Sequence, residues 1–568
     1  MGTRFYNFLI LFLVSNSAFA YSVFPDMDSI ALGMGDKLGY TTVRYACPDG
    51  DNANNGLSPS TPKKTLWGTG ALFEGIGTAT STIYALCRGG TWAVAPGGSV
   101  ANESATKEIP IVIRDYQKPG GGLAAPHIIL NATTTTDAFF KSLSGGGANS
   151  KEGITLKNLE ISSTNAMLGN FLWIANDVDY VTVDNVYVHD MRVGITSGNQ
   201  SSSAPSRFLN TAMDDLTFTP ASGGNLATIQ RASAFPAGIL KGDSFVVSGT
   251  ASNKAFRVDS INYGTNTIYV SDSPAWAVVS ETTPAGAVVS DYFGDGLNSG
   301  LRVTNSKFEN LSAAGIYGQF NDLAYARDNE FRNNGFATAT AEHHAYINDS
   351  RYADFSDNKF FEMGPYSGTG KCGAVAFVGH GETEFITIQR NYVYQSTNTT
   401  AAGCYAIVFD SGYASAQVEH HDNLTITGNY VTNFGYVGIG CQACTNSTIS
   451  NNVLRCNVSS GACMGISVPT RGPAEAVAVG DSITSDVTIS GNTIIAEGSN
   501  IKNNTATFGI KAQAGTGTAG AFEISNNKIS GWYECIKVPV NTGGTATLTG
   551  NTNATGGAIT SADCTAGN

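Results

Sequence analysis

The sequence predicts an all-β protein: a right-handed parallel β-helix, a solenoid of about eleven coils, with an N-terminal cap and an inserted small β-barrel-like module. Two repeating phrases and a turn-rich composition predict it. The first phrase is a short β-rich run carrying Asn: ITLKNLEI holds Asn158, VTVDNVYV Asn185, LRVTNSKF Asn305, AYARDNEF Asn329 and ADFSDNKF Asn358. It continues through ITIQRNYV (Asn391), LTITGNYV (Asn429), STISNNVL (Asn452), VTISGNTI (Asn492), FEISNNKI (Asn527) and ATLTGNTN (Asn551). Apart from one large gap, successive asparagines lie 23 to 40 residues apart, which is one coil with loops of varying size. The second phrase alternates with the first, as in RVGITS (192–197), AAGIYG (313–318), YVGIGC (436–441) and TFGIKA (507–512).

Each phrase has a physical reading. Val, Ile and Leu alternating with Thr and Ser give the period-two pattern of a strand with one face in and one face out. Asn then turns the chain, because it tolerates the left-handed region and its amide can bond the backbone. Stacked coils place these amides above one another as a ladder, which satisfies a polar group at a near-buried corner and fixes register. The second phrase supplies another strand per coil, with Ile195, Ile316, Ile439, Ile466, Ile510 and Ile536 expected to stack inward.

The chain divides around this repeat. Residues 1–20 read as a secretory signal peptide: Arg4, the apolar run from Phe8 to Val14, then Ala18-Phe19-Ala20 as a small-x-small cleavage site. Residues 21–145 form the N-terminal cap and first coils, with 62–78 expected as a short capping helix. Residues 146–204 are the first part of the β-helix, and 294–568 its second part and C-terminal end. The large gap holds an insertion at 205–293, where KGDSFVVSGTASNKAFRVDSINYGTNTIYVSD (241–272) is strongly β with Gly-Asp and Gly-Thr-Asn turns but shows no coil phrase. The N-terminal text DNANNGLSPSTP (51–62), ALCRGGTW (85–92) and IPIVIRDY (109–116), followed by the coil pattern, resembles the opening of secreted β-helix proteins of the pectate lyase-like superfamily, polysaccharide lyases among them. That resemblance implies the architecture and a glycan substrate. It carries over no catalytic residue: Gly379-His380-Gly381 stands alone and follows its strand, without the other polygalacturonase motifs, and no pectate lyase motif is present.

Composition narrows the class. Lys and Arg number 32 against 45 Asp and Glu, a net charge of −13, which argues against a nucleic-acid partner. No segment after the signal is apolar for long enough to span a membrane, so a secreted protein, extracellular or periplasmic, is expected. Ten cysteines in an exported chain predict up to five disulfides, with Cys47–Cys87, Cys372–Cys404 and Cys535–Cys564 favoured by proximity along the repeat. The Cys441-x-x-Cys444 pair reads as a structural bridge in this compartment rather than as a zinc or redox motif.

Parallel coils put equivalent side chains about 4.8 Å apart, so a site is sought down the columns. The richest column runs through the middle coils. Glu342, His343, His344, Tyr346, Asn348, Asp349 and Arg351 fall together, followed by Lys371, His380 and Asp410 in the next coils. A partner polysaccharide would fit such a stack. Cleavage of an acidic, uronate-containing glycan by β-elimination needs a base for the proton α to the carboxylate and a cation for the enolate. His343 or His344 is the expected base, with Lys371 the alternative, and Arg351 the carboxylate grip. Tyr317 and Tyr346 would offer a stacking face to a sugar, with His380 and Asp410 beside them. Calcium held by Glu342, Asp349 and Asp410 is a further way to neutralise the charge. Because strand neighbours alternate, one of His343 and His344 is expected to point into the coil. A glycoside hydrolase using two carboxylates, or a non-catalytic glycan-binding adhesin, are the alternative functions on this scaffold.

Overall fold

The computed structural model describes residues 40–76, 82–96, 99–100, 110–142, 151–174, 178–198, 211–213, 215–222, 225–235, 244–248, 250, 255–270, 278–283, 287–291, 298–319, 321–336, 342–362, 374–396, 405–409, 420–458, 463–468, 484–512, 521–538, 545–560 and 563–564. It is a right-handed parallel β-helix with three walls. The Asn phrase forms the first wall, as in Thr387–Gln389 and Thr425–Thr427. The chain turns at the Asn into a second wall of twelve parallel strands, from Thr91–Val94 to Lys528–Ser530. The second phrase then forms the third wall, as in Ala314–Gln319 and Val437–Cys441. Two coils precede the first Asn phrase, which is why the strands outnumber the coils expected from the phrases. The long strands Glu342–Arg351 and Ala374–Glu384 run past the end of the third wall, joining the first and third walls into one 29-stranded sheet.

Each wall contributes inward residues to a continuous core. In the first wall Phe355, Ile388, Ile426, Ile449 and Ile489 stack in register. In the second wall Phe308, Phe331 and Phe360 stack within 5.1 Å of one another along the column. In the third, Ile195 meets Ile316, and Ile439, Ile466, Ile510 and Ile536 follow one another, as the phrase predicted. Fully burying such a side chain is worth roughly 1.5–3 kcal/mol. Because the sum is distributed along the axis, each coil depends chiefly on its two neighbours.

The Asn ladder differs from its sequence reading in one respect. From Asn329 through Asn358, Asn391, Asn429, Asn452, Asn492 and Asn527 to Asn551, each Nδ2 donates to the Oδ1 of the next, at 2.9–3.1 Å. The left-handed residue is the one before the ladder position, for example Asp357 (φ 59°), Arg390 (φ 53°) and Gly428 (φ 67°). Asn158, Asn185 and Asn305 occupy that left-handed column themselves, with φ of 51–56°, so they lie outside the inner ladder. They form an outer run instead: Asn158 donates to Asp115, Asn185 to Asn158 and Asn305 to Asp184. Ser306 follows Asn305 and its N–H donates to Asn329 Oδ1, which starts the inner ladder; in the coils before it Leu159 and Val186 pack in the core.

The expected capping helix over 62–78 is replaced by turns through residue 76, and 77–78 lie outside the described residues. Gly68, Gly70 and Gly75 take φ of 110°, 74° and 73°, which no right-handed helix accommodates. Its apolar residues still pack on the first coils: Leu66, Leu72, Phe73 and Ile76 are buried with Tyr84 and Phe139. Within the insertion, strands between Thr211–Ala212 and Val288–Asp291 make an eight-stranded sheet whose pairings are all antiparallel. It has its own core, including Leu216, Phe218, Ile229, Phe256 and Ile268.

Disulfides join Cys47 to Cys87 and Cys535 to Cys564, two of the expected pairs. Cys441 bridges Cys444, so this C-x-x-C is closed on itself, and Cys456 bridges Cys463. Cys372 and Cys404 lie outside the described residues, as does the 1–20 segment. Among the described residues no helix is long and apolar enough to cross a membrane.

Candidate functional site

Alternation places every second residue of the third wall outside the solenoid. Its central outward column runs Trp173, Thr196, Tyr317, Tyr346, Val378 and Val408 in direct register. Tyr317 and Tyr346 stack at 4.5 Å with planes 5° apart. His343 stacks on Tyr346 at 5.3 Å, and His380, in register with Asn348, has its ring 5.6 Å from Tyr346. Tyr317, Tyr346, His343 and His380, predicted from scattered stretches of sequence, therefore meet on one face.

Most of this face is covered, with Tyr317 its half-buried member. His343 is 7% exposed, His380 8% and Tyr346 2%. Burial holds the His343 imidazole at a pKa of about 3, reinforced by His380 and His344, so it is neutral across the physiological range. Its Nδ1 has no hydrogen-bond partner among the described residues. The expected stacking face of Tyr346 is corrected: its ring already meets Tyr317 and His343, so no ring face is left for a sugar.

His344 points into the coil. It is fully buried, its Nδ1 lies 3.0 Å from Asn334 Nδ2, and it packs against Phe331 and Phe360. Burial, with Arg332 nearby, puts its pKa at about 3. The reading of His344 as a base is thereby corrected, because its ring lies inside the solenoid among core phenylalanines and a base must reach its substrate. The strand bends at this point: His344 and Ala345 are both core residues, so simple alternation fails for one step. Arg351 stands beyond a register shift at the far end of the same strand, paired with Glu384, away from the histidines. Lys371 and Asp410 lie outside the described residues, and so do the side chains of Glu342 and Asp349, leaving the calcium set as an expectation.

A second cluster, which the sequence reading passed over, stands on the outer face of the second wall. His127, Glu160 and His189 come from three successive strands, and Tyr187, Lys307, Glu309 and Arg332 continue it. Tyr187 Oη donates to Glu309 Oε2 at 2.6 Å, and Lys307 Nζ reaches the same oxygen at 2.8 Å. The usable signal was the pair of outward positions in HIIL, EISS and YVH, visible only once the coils are aligned.

No family model matches the chain, and no curated protein does. Among solved structures the chain is similar to the A-module of a mannuronan C-5 epimerase from Azotobacter vinelandii, at 10% identity and TM-score 0.41, covering 84% of this chain and 92% of that one. It is also similar to an E. coli bacteriophage HK620 tailspike in complex with a pentasaccharide, at 10% identity and TM-score 0.39, covering 86% and 65%. A Pseudomonas phage phi297 tailspike follows at 11% identity and TM-score 0.35, covering 76% and 65%. Likenesses at this level leave the chemistry to be read from the chain's own residues.

Proposed function

We propose that the protein is a secreted polysaccharide lyase that cleaves an acidic, uronate-containing glycan by β-elimination on the outer face of the third wall. One observation carries the reading: on the outside of the solenoid the neutral His343 imidazole is buried against Tyr346 and beside His380, with its Nδ1 unpaired among the described residues. Outer β-helix faces are ordinarily solvated, and a native structure seldom leaves a buried polar atom unpaired without a use for it.

In this reading a sugar ring enters beside Tyr317, and His343 takes the proton α to the uronate carboxylate. Electrons then form the new double bond as the glycosidic C–O bond breaks, and the leaving oxygen takes up a proton. Arg351, at the far end of the strand from His343, takes no part in this step, and Lys371 is a second candidate base. Calcium on Glu342, Asp349 and Asp410 would neutralise the carboxylate charge when bound. His380 holds the His343–Tyr346 pair in place.

The test is ultraviolet absorbance of the folded protein with a panel of polyuronates, mannuronan first, with and without calcium. A rise from unsaturated sugar supports the lyase. A flat trace across the panel rejects it, and glycan binding without cleavage would then favour an adhesin.

A further inference from the structure

The second-wall cluster has the composition and geometry of a metal site. His127 is the register partner of Glu160, and His189 that of Ser162, so the three side chains rise from three adjacent coils on one face. Glu160 Oε1 lies 3.3 Å from His189 Nε2 and 3.9 Å from His127 Nε2. One ligand atom from each residue falls within 4.8 Å of the other two. The three side chains are 15–29% exposed, shielded enough to hold a cation and open enough to admit one.

The surrounding contacts orient these atoms. Asp190 Oδ2 sits 2.8 Å from His189 Nδ1, the carboxylate-behind-histidine arrangement that fixes the tautomer and turns Nε2 toward a metal. Ser162 Oγ lies 2.9 Å from His127 Nε2 and marks that nitrogen as the one facing the cluster. Tyr187 stacks on His189 at 4.4 Å and restrains its ring. The nearby cations of the next coils are engaged elsewhere: Lys307 with Glu309, and Arg332 with Glu330.

We propose that His127, Glu160 and His189 bind a zinc-class divalent cation that clamps three successive coils just ahead of the insertion. Two imidazoles and one carboxylate are a donor set that zinc accepts, with bonds of about 2.0–2.2 Å and a water in the fourth place. Tetrahedral bonds of that length put donors roughly 3.4 Å apart, so the Glu160–His189 distance already fits and His127 moves in toward them. The site is separate from the third-wall histidines and does not depend on the lyase reading.

Isothermal titration of chelator-treated protein with Zn²⁺ tests it. The expected result is one saturable equivalent that also raises the melting temperature. His189→Ala and Glu160→Gln should each weaken binding at least tenfold, and Asp190→Asn roughly 10–100-fold through the lost orienting bond. Glu160→Gln keeps the volume of a half-buried side chain on the outer face, so it remains informative should His189→Ala misfold. No saturable equivalent, or affinity unchanged in Glu160→Gln, overturns the proposal. Because the readout is metal binding, failure here is distinguishable from a flat glycan assay.

Discussion

The two histidine clusters hold the same kinds of residue and behave in opposite ways. In the third wall, His343 and His344 are desolvated to a pKa of about 3, so neither carries charge at neutral pH. In the second wall, His189 is raised above its ordinary value: bonds to Glu160 and Asp190 outweigh a desolvation that on its own would lower it. His127, beside it, is lowered by burial despite the same glutamate. The contrast shows that cover and carboxylate partners, rather than the density of histidines along the chain, decide which imidazoles can be charged.

The largest expected effect separates the clusters by stability. His344→Ala empties a site between Phe331 and Phe360 and removes one of the hydrogen bonds of buried Asn334, and should cost about 3 kcal/mol in urea unfolding. His127→Ala, at the surface, should cost less than about 1 kcal/mol. Equal losses would erase the distinction.

Next comes the pH dependence of unfolding. His343 and His344 have folded pKa values near 3, below the unfolded value of about 6.5. The unfolded chain therefore binds more protons between those values, and stability is full above pH 6.5 and falls toward pH 3. Replacing His343 by Gln should flatten part of that slope. His189 has the reverse sign: its contribution is present below the unfolded pKa and fades as pH rises through its raised folded value.

The smallest effect is local. In Glu160→Gln, the His189 ring resonances followed by NMR should titrate at lower pH than in the parent protein, because its strongest raising contact is gone. An unchanged titration would assign the shift to Asp190 alone.

Much of the fold was legible because its signals repeat. Ile439, Ile466, Ile510 and Ile536 recur at one position of one phrase, and a stack follows directly. The one-residue offset that separates Asn305 from Asn329 was also written in the chain, as LRVTN against AYARDN, but its meaning depends on which residue takes the left-handed turn. Apolar spacing around Leu66, Leu72 and Phe73 imitated a helix that three glycines forbid. The candidate site was legible as a set of residue types, and Tyr317, Tyr346, His343 and His380 do meet. Which faces are covered was not, since that depends on how the third wall bends at His344–Ala345. His127, Glu160 and His189 escaped because loops of unequal length hide the register that brings their strands side by side.

The most direct test of the central claim is the initial rate of unsaturated-sugar formation by the parent protein and by His343→Ala, on whichever polyuronate responds. The parent should give a clear rate and the variant a loss of about 10²–10⁴-fold, the usual worth of a general base. No product from the parent on any polyuronate, or an undiminished rate in folded His343→Ala, would contradict it.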